Sequence, residues 1–234
     1  MDSIADIKHA LYINLDSRPD RKKHVEGQLS IVGIQAERFT AIRLENGALG
    51  CSMSHLKCLE MAKANNWPHV LIIEDDILFL KPNIFVNQLN LFLHNHKTFD
   101  VLLIAGNNAP PYDTIDNTCV KVTRCQTTTG YLVQRHYFDR LIQNFRNGIQ
   151  QLLKYPNNHI YFAIDKYWFK LQELDKWYLI VPLTVTQRED YSDIEKKSTN
   201  YTRLMIDLDK KELIRAQVKA HLASQSTPKL RLFS

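Results

Sequence analysis

The chain has 234 residues, 44% of them hydrophobic and 24% charged, a composition that fits one ordinary globular domain and excludes a fibrous or largely disordered protein. The formal net charge is +5. Because no dense block of Lys and Arg accompanies this charge, nucleic-acid binding is not indicated. The excess fits either a solvated basic surface or a site for an anionic ligand.

The amino terminus carries no basic segment followed by a long apolar stretch, and no run approaches the ~18 apolar residues of a membrane span. We therefore expect a cytoplasmic protein without a transmembrane segment. The four cysteines, Cys51, Cys58, Cys119 and Cys125, form no C-x-x-C pair. In such a compartment this pattern predicts reduced thiols in the core.

The first part of the chain alternates strand and helix patterns. The run "ALYINL" (10–15) predicts a buried strand. A helix is expected between Pro19 and Gly33, because proline suits a first turn and glycine the position after the last one. Further predictions are a strand over 37–42, a helix over 47–67 and a nearly continuous apolar strand over 69–80.

The alternation continues in the second part of the chain. Periodicity and apolar runs predict a helix over 83–96, a strand over 99–106, a loop over 107–117, β-structure over 119–133, helices over 135–155 and 160–172, and a strand over 176–182. Strands that alternate with helices indicate an α/β fold with a mostly parallel central sheet flanked by helices. In such sheets ligands bind at the carboxyl ends of the strands.

Residues 1–200 contain this alternation and are predicted to form one domain. Beyond them, residues 201–234 carry Ile214, Val218 and Leu222 at four-residue spacing among basic side chains. This pattern predicts a basic helical extension that packs on the domain or forms a homo-oligomer interface. Its apolar face is narrow for a helix that lies on a membrane surface.

Three adjacent carboxylates, Glu74, Asp75 and Asp76, follow the apolar run "VLII". Ionised side chains are seldom buried without compensation, and adjacent like charges repel unless a cation or hydrogen-bond donors offset them. Carboxylates suit Mg²⁺ or Mn²⁺, which typically combine one or two protein carboxylates with substrate phosphates. The triplet is either a polar turn that ends the strand or, as we favour, a divalent-metal site.

Two common phosphate-binding motifs are absent from the sequence, which reduces the number of reaction classes to consider. Neither G-x-x-x-x-G-K-[ST] nor G-x-G-x-x-G occurs in the chain. A two-metal phosphoesterase needs several converging carboxylates, whereas we find one convincing acidic cluster, so that function is the less favoured alternative. What remains is a metal that neutralises the diphosphate of a nucleotide-sugar donor.

Several motifs together resemble a known family. "YINLDSRPDRKKHVEGQL", "GALGCSMSHLKCLEMA", "VLIIEDDILF", "FDVLLIAG" and "TTTGYLVQRHYFDRLI" occur in this order, followed more loosely by "IDKYW" and "VPLTVTQREDYSDIEKK". Over residues 10–200 the chain resembles glycosyltransferase family 25, which includes lipooligosaccharide β-galactosyltransferases and collagen galactosyltransferases. The pairing of G-C-x-x-S-H with an E-D-D strand end is the specific part of the resemblance.

The resemblance implies a GT-A fold and the inverting transfer of a hexose, galactose or glucose, from a UDP-sugar to a hydroxyl of a glycan or glycoconjugate. It also implies a Mn²⁺ or Mg²⁺ cofactor, and a position peripheral to a membrane where the acceptor is membrane-bound. The family includes a member thought to lack transferase activity, so a non-catalytic binding protein is the alternative. The intact E-D-D favours catalysis.

The resemblance also implies site residues. Asp76 is the first choice for metal coordination and Glu74 the second. The donor-site candidates are Asn14, the backbone of Ile13 and Leu15, Arg18 and Arg21 for the diphosphate, Ser54 and His55 in an expected early helical turn, Glu74, Asp75 and Gln187. Two alternatives stay open: a lone helical histidine such as His55 is more often structural, and Arg21 fits a helix surface equally well.

Asp165 is the candidate general base, because inverting transfer needs a carboxylate that takes the proton of the acceptor hydroxyl. Its alternative role is a helix cap or an ion pair with Lys166 or Lys170, and Asp190 and Asp193 are the next candidates. The acceptor-site candidates are Gly130, Tyr131 and Trp168, with a strand bulge at the glycine and core packing of the aromatic rings as the alternatives.

Overall fold

The computed structural model describes residues 1–192, 197–211, 214–216 and 218. The strands are β1 (Ala10–Asn14), β2 (Glu37–Thr40), β3 (His69–Glu74), β4 (Ile77–Phe79), β5 (Val101–Leu103), β6 (Asn107–Asn108), β7 (Tyr112–Thr114), β8 (Cys119–Val122), β9 (Cys125–Gln126), β10 (Gly130–Gln134), β11 (Trp177–Ile180), β12 (Val185–Gln187), β13 (Asp190–Ser192) and β14 (Lys197–Thr199). The helices are α1 (Pro19–Val32), α2 (Gly47–Ala64), α3 (Pro82–Asn95), α4 (Phe138–Lys154), α5 (His159–Phe162), α6 (Ile164–Tyr167), α7 (Phe169–Leu174) and α8 (Thr202–Ile206), with 3-10 turns at Ile4–Asp6 and Arg135–Tyr137.

One eight-stranded sheet organises the chain, in the order β2-β1-β3-β10-β5-β11-β8-β7. Six of its strands run in one direction, whereas β10 and β8 run in the opposite one. The α/β fold with a mostly parallel central sheet is thus confirmed. Because β10 lies antiparallel between β3 and β5, the residues that precede β10 reach the edge at which β3 ends.

Two helical layers cover the sheet, because successive side chains of a strand point to opposite faces. Leu11 and Ile13 of β1 belong to the core that α2 and α4 fill. Ala10 and Tyr12 belong to the core that α1 and α3 fill. β3 contributes to both cores in the same alternation, which explains why its sequence is apolar at successive positions.

Local signals predicted α1 accurately. Proline occupies its first position, and Gly33 follows it with φ of 74°, a left-handed conformation that favours glycine. The prediction of a single strand over 69–80 is wrong. β3 ends at Glu74, a turn follows, and β4 leaves the large sheet to pair with β12.

Two other predicted elements differ from the structure. The predicted helix over 160–172 is divided into α5, α6 and α7, because Ala163 has φ of −55° and ψ of 144°, which interrupts the helical path after α5. The predicted loop over 107–117 contains the short strands β6 and β7.

The beginning of the carboxyl-terminal region contacts the domain. Tyr112 of β7 contacts Asp209. Within the region itself, the buried side chain of Lys210 donates to the carbonyls of Leu204 and Asp207. Most of the extension expected over 201–234 lies outside the described residues. Apart from α8, its helical character therefore stays a prediction, as does its role in a homo-oligomer.

Within the described ranges, none of the helices is long and apolar enough to cross a membrane. All four cysteines carry free thiols, and Cys58, Cys119 and Cys125 are buried.

Gly130 is required by packing between neighbouring strands. A Cβ at this position would lie 2.7 Å from Cγ1 of Ile104, so Gly130→Ala should lower the free energy of unfolding by about 1–3 kcal/mol through overpacking. Gly27→Ala is the matched control, because Gly27 occupies an exposed position of α1 and its added Cβ meets nothing within 4 Å. That control should be stabilised by about 0.5–1 kcal/mol. Urea unfolding measures both; an undiminished stability of Gly130→Ala would contradict the packing role.

Candidate active site

The acidic triplet lies at the carboxyl edge of the sheet, where β1 and β3 end side by side. Asn14 ends β1 and Glu74 ends β3. On the other side of β3, the backbone N–H of Glu74 donates to the carbonyl of Thr129, the residue before β10. Three segments that are distant in sequence therefore meet around the triplet.

Glu74 is held through both carboxylate oxygens. Oε1 accepts from Oγ1 of Thr128 at 2.7 Å and lies 3.3 Å from Nε2 of His55, and Oε2 accepts from Nε2 of Gln187 at 3.2 Å. Burial opposes ionisation of Glu74, but the hydrogen bonds from His55 and Thr128 outweigh it and lower the pKa of this carboxyl. Glu74 is therefore a firmly positioned carboxylate, and its donors favour the ionised form.

Asp75 is also well supplied with donors. Its Oδ2 accepts from Nδ2 of Asn14 at 2.7 Å, and its Oδ1 accepts from Nη1 of Arg21 at 3.0 Å. The buried amide of Asn14 uses its other hydrogen on the carbonyl of Arg18, and its oxygen accepts from Arg38. The expectation that the Asn14 side chain contacts a donor nucleotide is therefore wrong; this amide positions Asp75.

Asp76 differs from both neighbours. Its Oδ1 is buried and has no hydrogen-bond partner among the described residues. Its Oδ2 lies 3.6 Å from Nη1 of Arg21. Burial and the nearby charge of Glu74 raise the pKa of Asp76 to about 8. Because a buried polar atom without a partner is costly, this oxygen is the atom in the triplet that a cation would best satisfy.

A cluster of arginines faces the acidic turn. Arg18 precedes α1, Arg21 lies in its first turn, and Arg188 follows β12. All three guanidinium groups contact the carboxylate of Asp190. The alternative that Arg21 lies on a helix surface is wrong, since its side chain is only 12% exposed and contacts the triplet.

Asp165, in α6, approaches the triplet through two threonines. Its Oδ2 accepts from the N–H of Thr127 at 3.2 Å, and the next residue, Thr128, donates to Glu74. Thr127 has φ of 76°, which is strained for a β-branched residue. Burial raises the pKa of Asp165, and the charge of Lys166 only partly offsets this. Two adjacent residues, Thr127 and Thr128, thus bind the candidate base and Glu74 of the triplet, respectively.

The G-C-x-x-S-H motif has a different role from the expected one. α2 begins at Gly47, so Ser54 and His55 lie well inside the helix. The hydroxyl of Ser54 donates to a carbonyl one turn earlier and accepts from an N–H of the preceding loop. His55 is buried between Tyr131 and Glu74. The predicted anion site at a helix start is therefore wrong, and His55 positions Glu74.

The expected acceptor contacts are also corrected. Trp168 and Tyr131 are fully buried, and the indole N–H of Trp168 donates to the carbonyl of Cys125. Core packing, the alternative for the aromatic rings, is therefore what the structure shows. The space above Gly130 is filled by Ile104, which leaves no room there for a sugar.

The backbone groups expected under the nucleotide are partly used by the fold. Ile13 is paired with β2 on one side and β3 on the other. The carbonyl of Leu15 accepts from the N–H of Arg18 at 2.9 Å. Both lie beside the acidic turn, so their contact with a donor stays a prediction.

Sequence reasoning missed Cys51, Thr128 and Arg188. The three threonines before Gly130 were a possible signal for Thr128. Cys51 lies 3.8 Å from Glu74 and groups with it and His55 as possible metal ligands. Burial, reinforced by the charge of Glu74, raises the pKa of the Cys51 thiol. Because a coordinating thiol must lose its proton, this trio suits a hard cation less well than Asp76 does.

The fold and the site define a class of protein. An acidic strand end faces an arginine cluster at the carboxyl edge of a mixed α/β sheet, an arrangement suited to a phosphate-bearing ligand with a divalent cation. Residues 43–168, just over half of the chain, match the family model described as glycosyltransferase family 25 (LPS biosynthesis protein). The chain belongs to this family and is a glycosyltransferase.

Solved structures resemble the chain distantly. A glycosyltransferase involved in the glycosylation of the major capsid of PBCV-1 is 10% identical, with a TM-score of 0.42 over 73% of this chain and 80% of that one. Mannose-1-phosphate geranyltransferase from Thermus thermophilus is 8% identical, with a TM-score of 0.39 over 74% and 73%. The nucleoside-diphosphate-sugar pyrophosphorylase from Vibrio cholerae is 14% identical, with a TM-score of 0.36 over 79% and 78%.

These TM-scores are too low to support an argument about function, so the family assignment rests on the family model. Among curated proteins, none matches the chain significantly.

The hydroxyl of Thr128 provides a test of how Glu74 is held. Thr128→Val keeps the shape of the side chain but removes its donor, and the free energy of unfolding should fall by about 1–3 kcal/mol because a buried bond to a charged group is lost. Thr128→Ser keeps the hydroxyl and should lose less. Urea unfolding at pH 7 compares the two, and a larger loss in Thr128→Ser than in Thr128→Val would show that the methyl group, not the hydroxyl, matters.

Proposed function

We propose that this glycosyltransferase is metal-dependent and inverting, and that it transfers a hexose, galactose or glucose, from a UDP-sugar to a hydroxyl of a glycan or glycoconjugate. The observation that carries the proposal is the buried Oδ1 of Asp76, which lacks a hydrogen-bond partner within the described part of the chain. The choice of UDP and of a hexose follows the resemblance to the family.

The chemistry of the triplet fits Mn²⁺ or Mg²⁺, because these ions prefer carboxylate oxygens and substrate phosphates. Asp76 would hold the ion through its unpartnered oxygen. Glu74 is the second choice, through Oε2, which has one partner, Gln187, whereas Oε1 contacts both Thr128 and His55. When bound, the ion supplies positive charge that neutralises the diphosphate leaving group.

The chain contributes positive charge of its own. Arg21 contacts the triplet, Arg18 contacts Asp190 beside Arg21, and a guanidinium group binds phosphate oxygens in a bidentate manner. We propose that both bind the diphosphate of the donor. Gln187 contacts Glu74 and would adjoin the same part of the donor.

Asp165 is the proposed general base. Its carboxylate would take the proton from the acceptor hydroxyl while the oxygen attacks the anomeric carbon opposite the diphosphate. The raised pKa of Asp165 makes it a better proton acceptor. The transition state of such a transfer resembles an oxocarbenium ion, so the ionised Glu74 close by would stabilise it.

A screen of nucleotide sugars tests the proposal. Hydrolysis and transfer are measured for UDP-galactose, UDP-glucose and donors with other nucleotides, each with Mn²⁺ and with EDTA. We expect one UDP-hexose to react, and only with the metal. Equal rates in EDTA would contradict metal dependence, and binding of UDP-sugars without any turnover would favour the non-catalytic alternative.

Two substitutions separate the metal carboxylate from the base. Asp76→Asn should lose metal and UDP affinity together, because the amide keeps the shape but not the charge. Asp165→Asn should retain both affinities and lower turnover by about 10²–10⁴-fold, the usual effect of losing a positioned base.

Single-turnover transfer at saturating donor, together with a calorimetric UDP titration with and without Mn²⁺, measures both variants. Turnover within a few-fold of the wild-type value in Asp165→Asn would show that Asp165 has a structural role. Unchanged metal affinity in Asp76→Asn would show that Asp76 does not bind the metal and that the metal site lies elsewhere.

A further inference from the structure

One carboxylate oxygen in this site is surrounded by three guanidinium groups. Oδ2 of Asp190 accepts from Nη2 of Arg18 at 2.8 Å, from Nε of Arg21 at 3.1 Å and from Nη2 of Arg188 at 2.6 Å. Guanidinium groups repel one another, so three of them converge on one point only where an anion holds them together. The convergence marks an anion site that the chain fills with its own side chain.

The site is sheltered from solvent. The side chain of Asp190 is 18% exposed, and that of Arg21 is 12% exposed. At the point where the three guanidinium groups converge, Asp190 supplies one negative charge; Asp20 pairs with Arg18 and Arg188 farther out, and Asp75 pairs with Arg21. A phosphate or diphosphate supplies more charge and more oxygens, and it matches the forked geometry of arginine.

The anion site adjoins the acidic triplet. Arg21 contacts Asp190 and also Asp75 at 3.0 Å and Asp76 at 3.6 Å. The backbone N–H of Arg188 donates to the carbonyl of Asp76 at 2.8 Å. A diphosphate bound by the arginines would therefore lie next to the carboxylate to which the proposed function assigns the metal.

We propose that the carboxylate of Asp190 occupies the place of a donor phosphate and leaves it when a diphosphate binds. Arg188 then becomes a third diphosphate ligand beside Arg18 and Arg21. This inference rests on the proposed function and adds regulation to the same site. A diphosphate can bind only to molecules in which the ion pairs of Asp190 with the arginines are open. Asp190 therefore lowers the apparent affinity for the diphosphate in proportion to the fraction of such molecules.

Calorimetric titration with inorganic pyrophosphate and with UDP tests the exchange. Asp190→Asn removes the competing charge and should bind pyrophosphate about tenfold more tightly than the wild-type protein, as expected if the ion pair is open about a tenth of the time. Asp190→Glu keeps the charge and should remain close to the wild-type value.

Asp20→Asn is the matched control. Asp20 also forms ion pairs with Arg18 and Arg188, but its side chain is 51% exposed and lies outside the point where the three guanidinium groups converge. This variant loses the same charge outside the anion site, so its pyrophosphate affinity should rise by no more than a few-fold, the range of an exposed and screened pair. A similar gain in both aspartate variants would reduce the effect to net charge and overturn the proposal.

A measurement on the wild-type protein makes the test independent of variant folding. Amide hydrogen exchange in β13, which begins at Asp190, should become faster when pyrophosphate binds, because the side chain that anchors its first residue is released. Unchanged or slower exchange at saturation would overturn the displacement. Weaker pyrophosphate binding by Asp190→Asn would do the same, since it would show that Asp190 orients the arginines for the ligand.

The outcomes also separate this proposal from the proposed function. Metal-dependent UDP binding by the wild-type protein without a gain in Asp190→Asn would contradict the exchange alone. A gain for pyrophosphate without turnover of any UDP-sugar would support the anion site and contradict the assigned reaction.

Discussion

Three consecutive carboxylates end a strand that is buried on both faces, and the site is built around the compensation of their charge. Burial in a low-dielectric interior and mutual repulsion both disfavour ionisation. Glu74 is compensated by a threonine, a histidine and a glutamine, and Asp75 by an amide and an arginine. Asp76 keeps an oxygen without such a partner among the described residues. The three carboxylates are neighbours in the sequence, but they differ in their capacity to bind a further cation or donor.

The reversed strand β10 makes this compensation possible. If β10 ran parallel to β3, the residues before it would lie at the opposite edge of the sheet. Because it is antiparallel, Thr127 and Thr128 reach the end of β3, where one holds Asp165 and the other Glu74. The left-handed conformation of Thr127 is the local strain that accompanies this arrangement. A feature of topology thus places the candidate base beside the acidic cluster.

Charge balance in the site is achieved within the chain. The arginines that face the triplet are paired with Asp75, Asp20 and Asp190. A ligand that carries both phosphate and a cation can replace such contacts in kind, anion for anion and cation for cation, with little change in net charge. This is a physical reason for the proposed nucleotide-sugar site to hold carboxylates and guanidinium groups so close together.

The sequence by itself determined the features that depend on near neighbours in the chain. The bounds of α1, the alternation of strands and helices and the position of the triplet at a carboxyl edge followed from periodicity, proline, glycine and burial pattern. It did not reveal that the run over 69–80 is two strands, or that Trp168 and Tyr131 are core residues. Nor did it show that Ser54 and His55 lie inside α2, or that Thr128 and Arg188 belong to the site. Those outcomes were decided by tertiary structure, because burial and hydrogen-bond partners depend on segments that lie far apart in sequence and meet only when the sheet is assembled.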